Sequence, residues 1–142
     1  MVIEYKLDEG AYAPVHGHEA DAGFDLRLPK SDEIVVVSPH DSLVINTGVH
    51  FNIPEGYTGF IKSKSGLNMK NNILVEGVVD AGYTGPVIVK LYNHGNEYVH
   101  FQSGDKLTQI VFLPIPRVSL CYTTSEFSKT ERGDNGFGST GR

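Results

Sequence analysis

Four stretches of this 142-residue chain carry side chains able to act on a charged small molecule. In Gly77-Val78-Val79-Asp80-Ala81-Gly82-Tyr83-Thr84-Gly85, an apolar run ends on a carboxylate and an aromatic ring follows. A carboxylate at a rigid strand end can take a proton from water, and the Tyr83 ring offers a flat face to a sugar or base. The same residues also make an ordinary turn with Asp80 capping it. Lys64-Ser65-Gly66 closes a β-rich run just before a short helical pattern. A cation, a hydroxyl and a glycine N–H at a helix start suit an anion; a plain cap, with Ser65 satisfying the first-turn donors, uses the same residues.

Asp25, in Asp21-Ala22-Gly23-Phe24-Asp25-Leu26, follows a turn and starts a strand. It could help position Mg²⁺, which prefers waters and substrate phosphates to a full protein cage, or simply face outward. The tail Arg132-Gly133-Asp134-Asn135-Gly136-Phe137-Gly138-Ser139-Thr140-Gly141-Arg142 sets one aromatic among four glycines, two hydroxyls and two cations. Such a segment builds no core, but its backbone N–H groups could wrap phosphates. It is not a P-loop, since no Lys follows Gly138 and no strand and helix flank it. Arg132-Gly133-Asp134 also spells an adhesion tripeptide, set aside because the N-terminus lacks the layout of a signal peptide. In His16-Gly17-His18-Glu19 two imidazoles and a carboxylate could chelate, but no third His or Cys cluster lies near, so a solvated loop is expected.

The elements that must hold these groups read as short strands between turn signals. Expected strands are Val2–Leu7, Phe24–Leu28, Ile34–Val37, Ser42–Ile45, Val49–Ile53, Tyr57–Lys62, Ile73–Val75, Val87–Asn93, Tyr98–Phe101 and Leu107–Leu113. Many strands at short intervals argue for an all-β sandwich or barrel rather than βαβ units. The one helical pattern is Leu67–Asn71, and strand patterning stops at Thr123. The length fits one domain, 1–142, with a body over 1–116 and a flexible arm over 117–142.

Composition removes several classes of function. Seventeen acidic against twelve basic residues give a net charge of -5, which argues against binding duplex nucleic acid. No apolar run is long enough to cross a bilayer. Cys121 is the only cysteine, so no intrachain disulfide forms, a cytoplasmic setting is expected, and the thiol reads as a small buried residue.

Taken together, these segments resemble the trimeric dUTPase family, whose five short motifs follow in this order. They are similar to Ala22–Leu26, Pro54–Leu67, Gly77–Gly85, Gly104-Asp105-Lys106-Leu107-Thr108-Gln109 and Arg132–Gly141. The resemblance implies a jelly-roll-like β-barrel, assembled as a homotrimer with three active sites that each draw on all subunits. It implies hydrolysis of dUTP to dUMP and pyrophosphate, with Asp80 as general base and Asp25 holding Mg²⁺ through water. Lys64, Ser65, Gly66 and Gln109 would bind phosphates. Backbone groups around Val78, Val79 and Ile88 would read uracil, and Tyr83 would stack under the deoxyribose. Phe137 and Gly138 would close over the base, with Arg132, Ser139 and Thr140 reaching the γ-phosphate. Two positions depart from the family pattern: Lys64 stands where Arg is usual, and Leu74 where many bacterial members carry Asn. The alternatives are a dCTP deaminase of the same fold, and a nucleotide-sensing protein that acts on a regulatory partner.

Overall fold

The computed structural model describes residues 1–138 and 141. In chain order the elements are β1 (Glu4–Leu7), β2 (Gly23–Arg27), β3 (Val35–Val37), β4 (Ser42–Asn52), β5 (Tyr57–Ser63), α1 (Ser65–Asn71), β6 (Ile73–Leu74), β7 (Glu76–Val79), β8 (Pro86–Asn93), β9 (Val99–Phe101) and β10 (Lys106–Pro114). They form two four-stranded sheets, β1-β4-β8-β6 and β2-β10-β5-β7, and a β3-β9 ribbon. Every ladder is antiparallel.

Period-two patterning explains why the strands bury one face. In β8, Val87, Val89 and Leu91 point inward while Ile88, Lys90 and Tyr92 point outward. Leu26 of β2, Leu91 of β8 and Ile110 of β10 are wholly buried in a core shared by both large sheets. Each such side chain contributes about 1.5–3 kcal/mol by leaving water.

The expected barrel is corrected to an open arrangement. No ladder joins the edge strands of one sheet to those of the other, so neither sheet closes on itself. The two strands expected at Ser42–Ile45 and Val49–Ile53 are also one strand, β4. Thr47-Gly48 is a bulge within it: Asn46 pairs with Ile88 and His50 with Pro86, so four steps on β4 match two on β8. Gly48 has φ +66°, and a Cβ there would sit 2.9 Å from the Ala11 Cβ, so only glycine fits.

One strand changes sheets. β6 pairs with β8 through Ile73↔Asn93 and Leu74↔Tyr92, and the chain then leaves β8 so that β7 pairs with β5 instead. Val75, at the switch, donates its N–H to the Ser63 hydroxyl at 2.8 Å.

From Leu113 onward every described residue is exposed. Beyond the end of β10 at Pro114, two contacts tie this segment to the body: Ile115 N–H to the Gly56 carbonyl at 2.8 Å, and Arg117 to Glu55 at 2.6 Å. Cys121 lies beyond them and is exposed, not buried as its residue type suggests, because no element of its own chain covers it. Among the described residues no helix is long and apolar enough to cross a membrane.

Candidate active site

Neighbouring strands β2, β10 and β5 bring one group of candidates together. Gln109 pairs with Asp25 on one side and Lys62 on the other, and its amide donates to the Ser63 carbonyl at 3.2 Å. Its side chain lies over Gly23, where a Cβ would collide with it. Asp25 is only 3% exposed. Lys64 makes a short ion pair with its Oδ1, and the Lys106 ammonium lies 2.6 Å from Oδ2 as a charge contact without hydrogen-bond alignment. Burial pushes the Asp25 carboxyl up, but Lys106 and Lys64 outweigh it and hold the group below the usual carboxylate range.

Lys106 was not among the residues singled out from sequence. The available signal was its place at the head of a strand, three residues before Gln109. The donor set also bears on a metal ion. Asp25 has an ammonium at each oxygen, so neither oxygen is free to ligate Mg²⁺ directly. No cluster of three or more His, Cys, Asp or Glu suited to a metal occurs among the described residues. In the His16–Glu19 loop, His16 Nδ1 lies 3.1 Å from the Gly23 carbonyl and its ring packs against Phe24.

Lys64 is also the N-cap of α1, with extended backbone and no side chain capping the helix. The helix therefore begins at Ser65, earlier than its apolar pattern indicates, and Ser65 lies in the first turn rather than at the cap. First-turn N–H groups have no partner within a helix, and Gly66 faces open space. A cation, a hydroxyl and backbone donors thus stand together, beside Asp25.

The second group surrounds the turn between β7 and β8. These strands are not a laddered hairpin: β7 belongs to one sheet and β8 to the other. They separate after Leu74, leaving a wedge whose walls carry Val78 and Ile88 and whose closed end is the turn Asp80–Gly85. Val78 and Ile88 are exposed, while Val79 is buried and its carbonyl accepts the Thr58 hydroxyl at 3.0 Å. Tyr83 N–H donates to the Asp80 carbonyl at 3.2 Å, and Gly82 supplies the positive φ the turn needs. The Tyr83 ring lies across Gly85, and its hydroxyl donates to the Pro86 carbonyl at 2.9 Å. Asp80 is exposed.

The third group stands apart from both. Arg132 folds back on its own segment, donating to the carbonyls of Asn135 and Gly136 at 3.1 Å each. Phe137 is fully exposed and Gly138 has φ +76°. Ser139 and Thr140 lie outside the described residues.

The first two groups do not meet in one chain. Lys64 follows the C-terminal end of β5, whereas Asp80 lies beyond Val79, which pairs with Gly59 near its start. About 20 Å of strand separates them at roughly 3.3 Å per residue. Within one chain Asp80 and Lys64 therefore stand at opposite ends of β5.

The family model for dUTPase matches residues 10–141. A deoxyuridine 5'-triphosphate nucleotidohydrolase of Tropheryma whipplei (strain Twist) is 36% identical over 146 residues, covering 100% of this chain and 97% of the relative. The protein of that name from Clostridium tetani is 37% identical, covering 96% and 93%. Among solved structures, a Staphylococcus bacteriophage 80alpha dUTPase with dUPNHPP superposes with a TM-score of 0.87 at 30% identity, covering 99% of each chain. A mutant dUTPase from phage phi11 of S. aureus, described for coordination of a structural Mg(II) ion, has a TM-score of 0.79 at 29% identity, covering 90% and 100%.

Proposed function

The chain belongs to the dUTPase family, and from that premise we propose that it hydrolyses dUTP to dUMP and pyrophosphate. Asp80 takes a proton from water as the water oxygen bonds to the α-phosphorus. The bond from that phosphorus to the bridging oxygen breaks, and pyrophosphate leaves with the electron pair. Lys64, Ser65, Gly66 and Gln109 hold the phosphates, and Lys106 joins them as a second cation. Such chemistry needs positioning and charge neutralisation more than covalent help. Asp25 would hold Mg²⁺ through water, and the ion, when bound, would supply further neutralisation of phosphate charge.

The observation that carries this reading is the wedge between β7 and β8, where no ladder joins the two strands and Asp80 stands in the closing turn. Uracil pairs there with backbone near Val78, Val79 and Ile88, while cytosine, with acceptor and donor exchanged, leaves buried groups unpaired. Tyr83 stacks under the deoxyribose and leaves no room for a 2′-hydroxyl.

The length of β5 between Asp80 and Lys64 supports a composite site, with the base from one subunit and the phosphate-binding groups from another. The chain is accordingly one domain, with a jelly-roll body over 1–116 that assembles as a homotrimer. Its arm, 117–142, crosses to a neighbour, where Phe137 and Gly138 cover uracil and Arg132, Ser139 and Thr140 reach the γ-phosphate.

Pyrophosphate release from each deoxynucleoside triphosphate, with and without Mg²⁺, tests the activity. Mg²⁺-dependent release from dUTP alone is expected; deamination of dCTP, or equal turnover of all four bases, overturns it. Subunit mixing tests the assembly. Asp80→Asn chains and chains truncated before Arg132 are each inactive, yet their mixed trimers regain activity because an intact base and arm meet from different subunits. Mixed trimers by mass with no regained activity remove the crossing arm.

A further inference from the structure

Outside the groups just described, one side chain grips the turn that carries Asp80 and Tyr83. His50 follows the Thr47-Gly48 bulge on β4, opposite Pro86. Its Nδ1 lies 2.8 Å from the Thr84 carbonyl and its Nε2 lies 3.0 Å from Asp8 Oδ1. Asp8 is itself fixed just beyond β1, its N–H donating to the Gly48 carbonyl at 2.8 Å. A carbonyl oxygen and an ionised carboxylate can only accept. A neutral imidazole has one N–H, so it can satisfy one of these partners and must point a lone pair at the other.

We propose that doubly protonated His50 is a positioning residue for the proposed reaction, clamping the Asp80–Gly85 turn to β1 by donating to Thr84 and Asp8 together. The proposal rests on the reading that this turn carries substrate. The surroundings favour the charged ring on balance. The Thr84 carbonyl and the Asp8 carboxylate raise the His50 pKa above its ordinary value, against partial burial and Lys6. Lys6 faces His50 directly across the β1–β4 ladder, and Glu4, further along β1, is engaged by the Asn52 amide at 3.1 Å. From β8 the facing residue is Pro86, which carries no charge, and the Tyr83 hydroxyl is committed to the Pro86 carbonyl. As pH rises through the His50 pKa, the ring loses a proton and one contact fails. The turn is then free to move relative to the wedge, so dUTP is used less well at alkaline pH.

The test follows the full-length protein by two titrations. Nitrogen NMR of the His50 ring and of the Gly85 amide gives the midpoint of the clamp. kcat/KM for dUTP, at saturating Mg²⁺ over neutral and alkaline pH, gives its effect on the reaction. One shared midpoint is expected, with Asp8→Asn moving all three signals to lower pH together. His50→Gln should abolish that alkaline limb and raise KM more than it lowers kcat, by roughly five-fold, the order one net hydrogen bond supports. Asp8→Asn removes a half-exposed carboxylate, so the test stands even where His50→Gln folds poorly. An alkaline limb that stays in place while the His50 midpoint falls overturns the proposal, as does a Gly85 amide indifferent to His50. Failure of the underlying reading looks different: Gly85 follows His50, yet Asp80→Asn keeps full turnover.

Discussion

Asp25 and Asp80 present the same functional group at opposite ends of one sheet, and their surroundings give them opposite capacities. Asp25 is buried on β2, the outer strand of its sheet, with an ammonium at each oxygen. Its charge pairs with Lys64 and Lys106, and a carboxylate stabilised as an anion is a poor proton acceptor. Asp80 is exposed on a turn, and among the described residues nothing hydrogen-bonds its carboxylate. The Asp25–Lys64–Lys106 group is thus fixed by strands and charge pairs, while Asp80 stands on a turn contacted by Tyr83 and His50. On the proposed reading, phosphate affinity would rest on the sheet and the start of α1, and chemistry on how well a turn is held.

The largest expected effect separates the two ends. Asp80→Asn should lower kcat by about 10²–10⁴-fold, the range of a lost general base, while binding of a non-hydrolysable dUTP analogue, followed by calorimetry, stays close to native. Near-native turnover would remove Asp80 from that role. Asp25→Asn should do the reverse, costing stability first. Two ammonium groups lose their buried counter-charge, and unfolding in urea should show a loss of about 1–3 kcal/mol.

The native protein offers a pH version of the same contrast. A carboxyl held below its ordinary pKa stabilises the fold above that ordinary value, near 3.9, and the contribution is lost as pH falls through the depressed one. Acid unfolding curves of native and Asp25→Asn proteins should therefore converge below about pH 4. Parallel curves would mean that the two lysines contribute nothing through Asp25.

Smaller changes sharpen the comparison. Tyr83→Ala should reduce the ratio of kcat/KM for dUTP over UTP by about ten-fold, within what exclusion of one hydroxyl supplies; an unchanged ratio places sugar recognition elsewhere. Lys64→Arg should hold kcat/KM for dUTP within about three-fold of native, or improve it, since a guanidinium can grip two oxygens at once. A large loss would show that the pocket around Asp25 is fitted to an ammonium.

Alternation made most strands readable from the residues: Pro86–Asn93 buries every second side chain, as its apolar pattern indicates. What misled was local chemistry with two structural meanings. Thr47-Gly48 reads as a turn between strands, but Gly48 in a bulge satisfies the same glycine requirement without ending the strand. Gly77–Asn93 reads as a hairpin, although the partner of β7 is β5, a choice made by tertiary packing. The site shows the same split. Motif order marked Lys64, Ser65, Gly66 and Gln109 as candidates, whereas no motif marked His50, whose contact with Asp8 joins residues 42 positions apart. Cys121 is a small apolar type on a segment its own chain does not cover.

The bare flank of β7 also matters outside catalysis. An unpaired strand edge is a template on which other chains can add strands. β7 is only four residues long and begins at Glu76, paired with Lys62 at 3.0 Å, and shortness and charge both discourage such docking. The stretch left open, Gly77–Val79, is too brief to seed a stack of strands but long enough to engage a planar ring with a matching edge. If uracil binds this wedge as proposed, it occupies the same backbone groups that an added strand would use, so a filled wedge is also a capped edge.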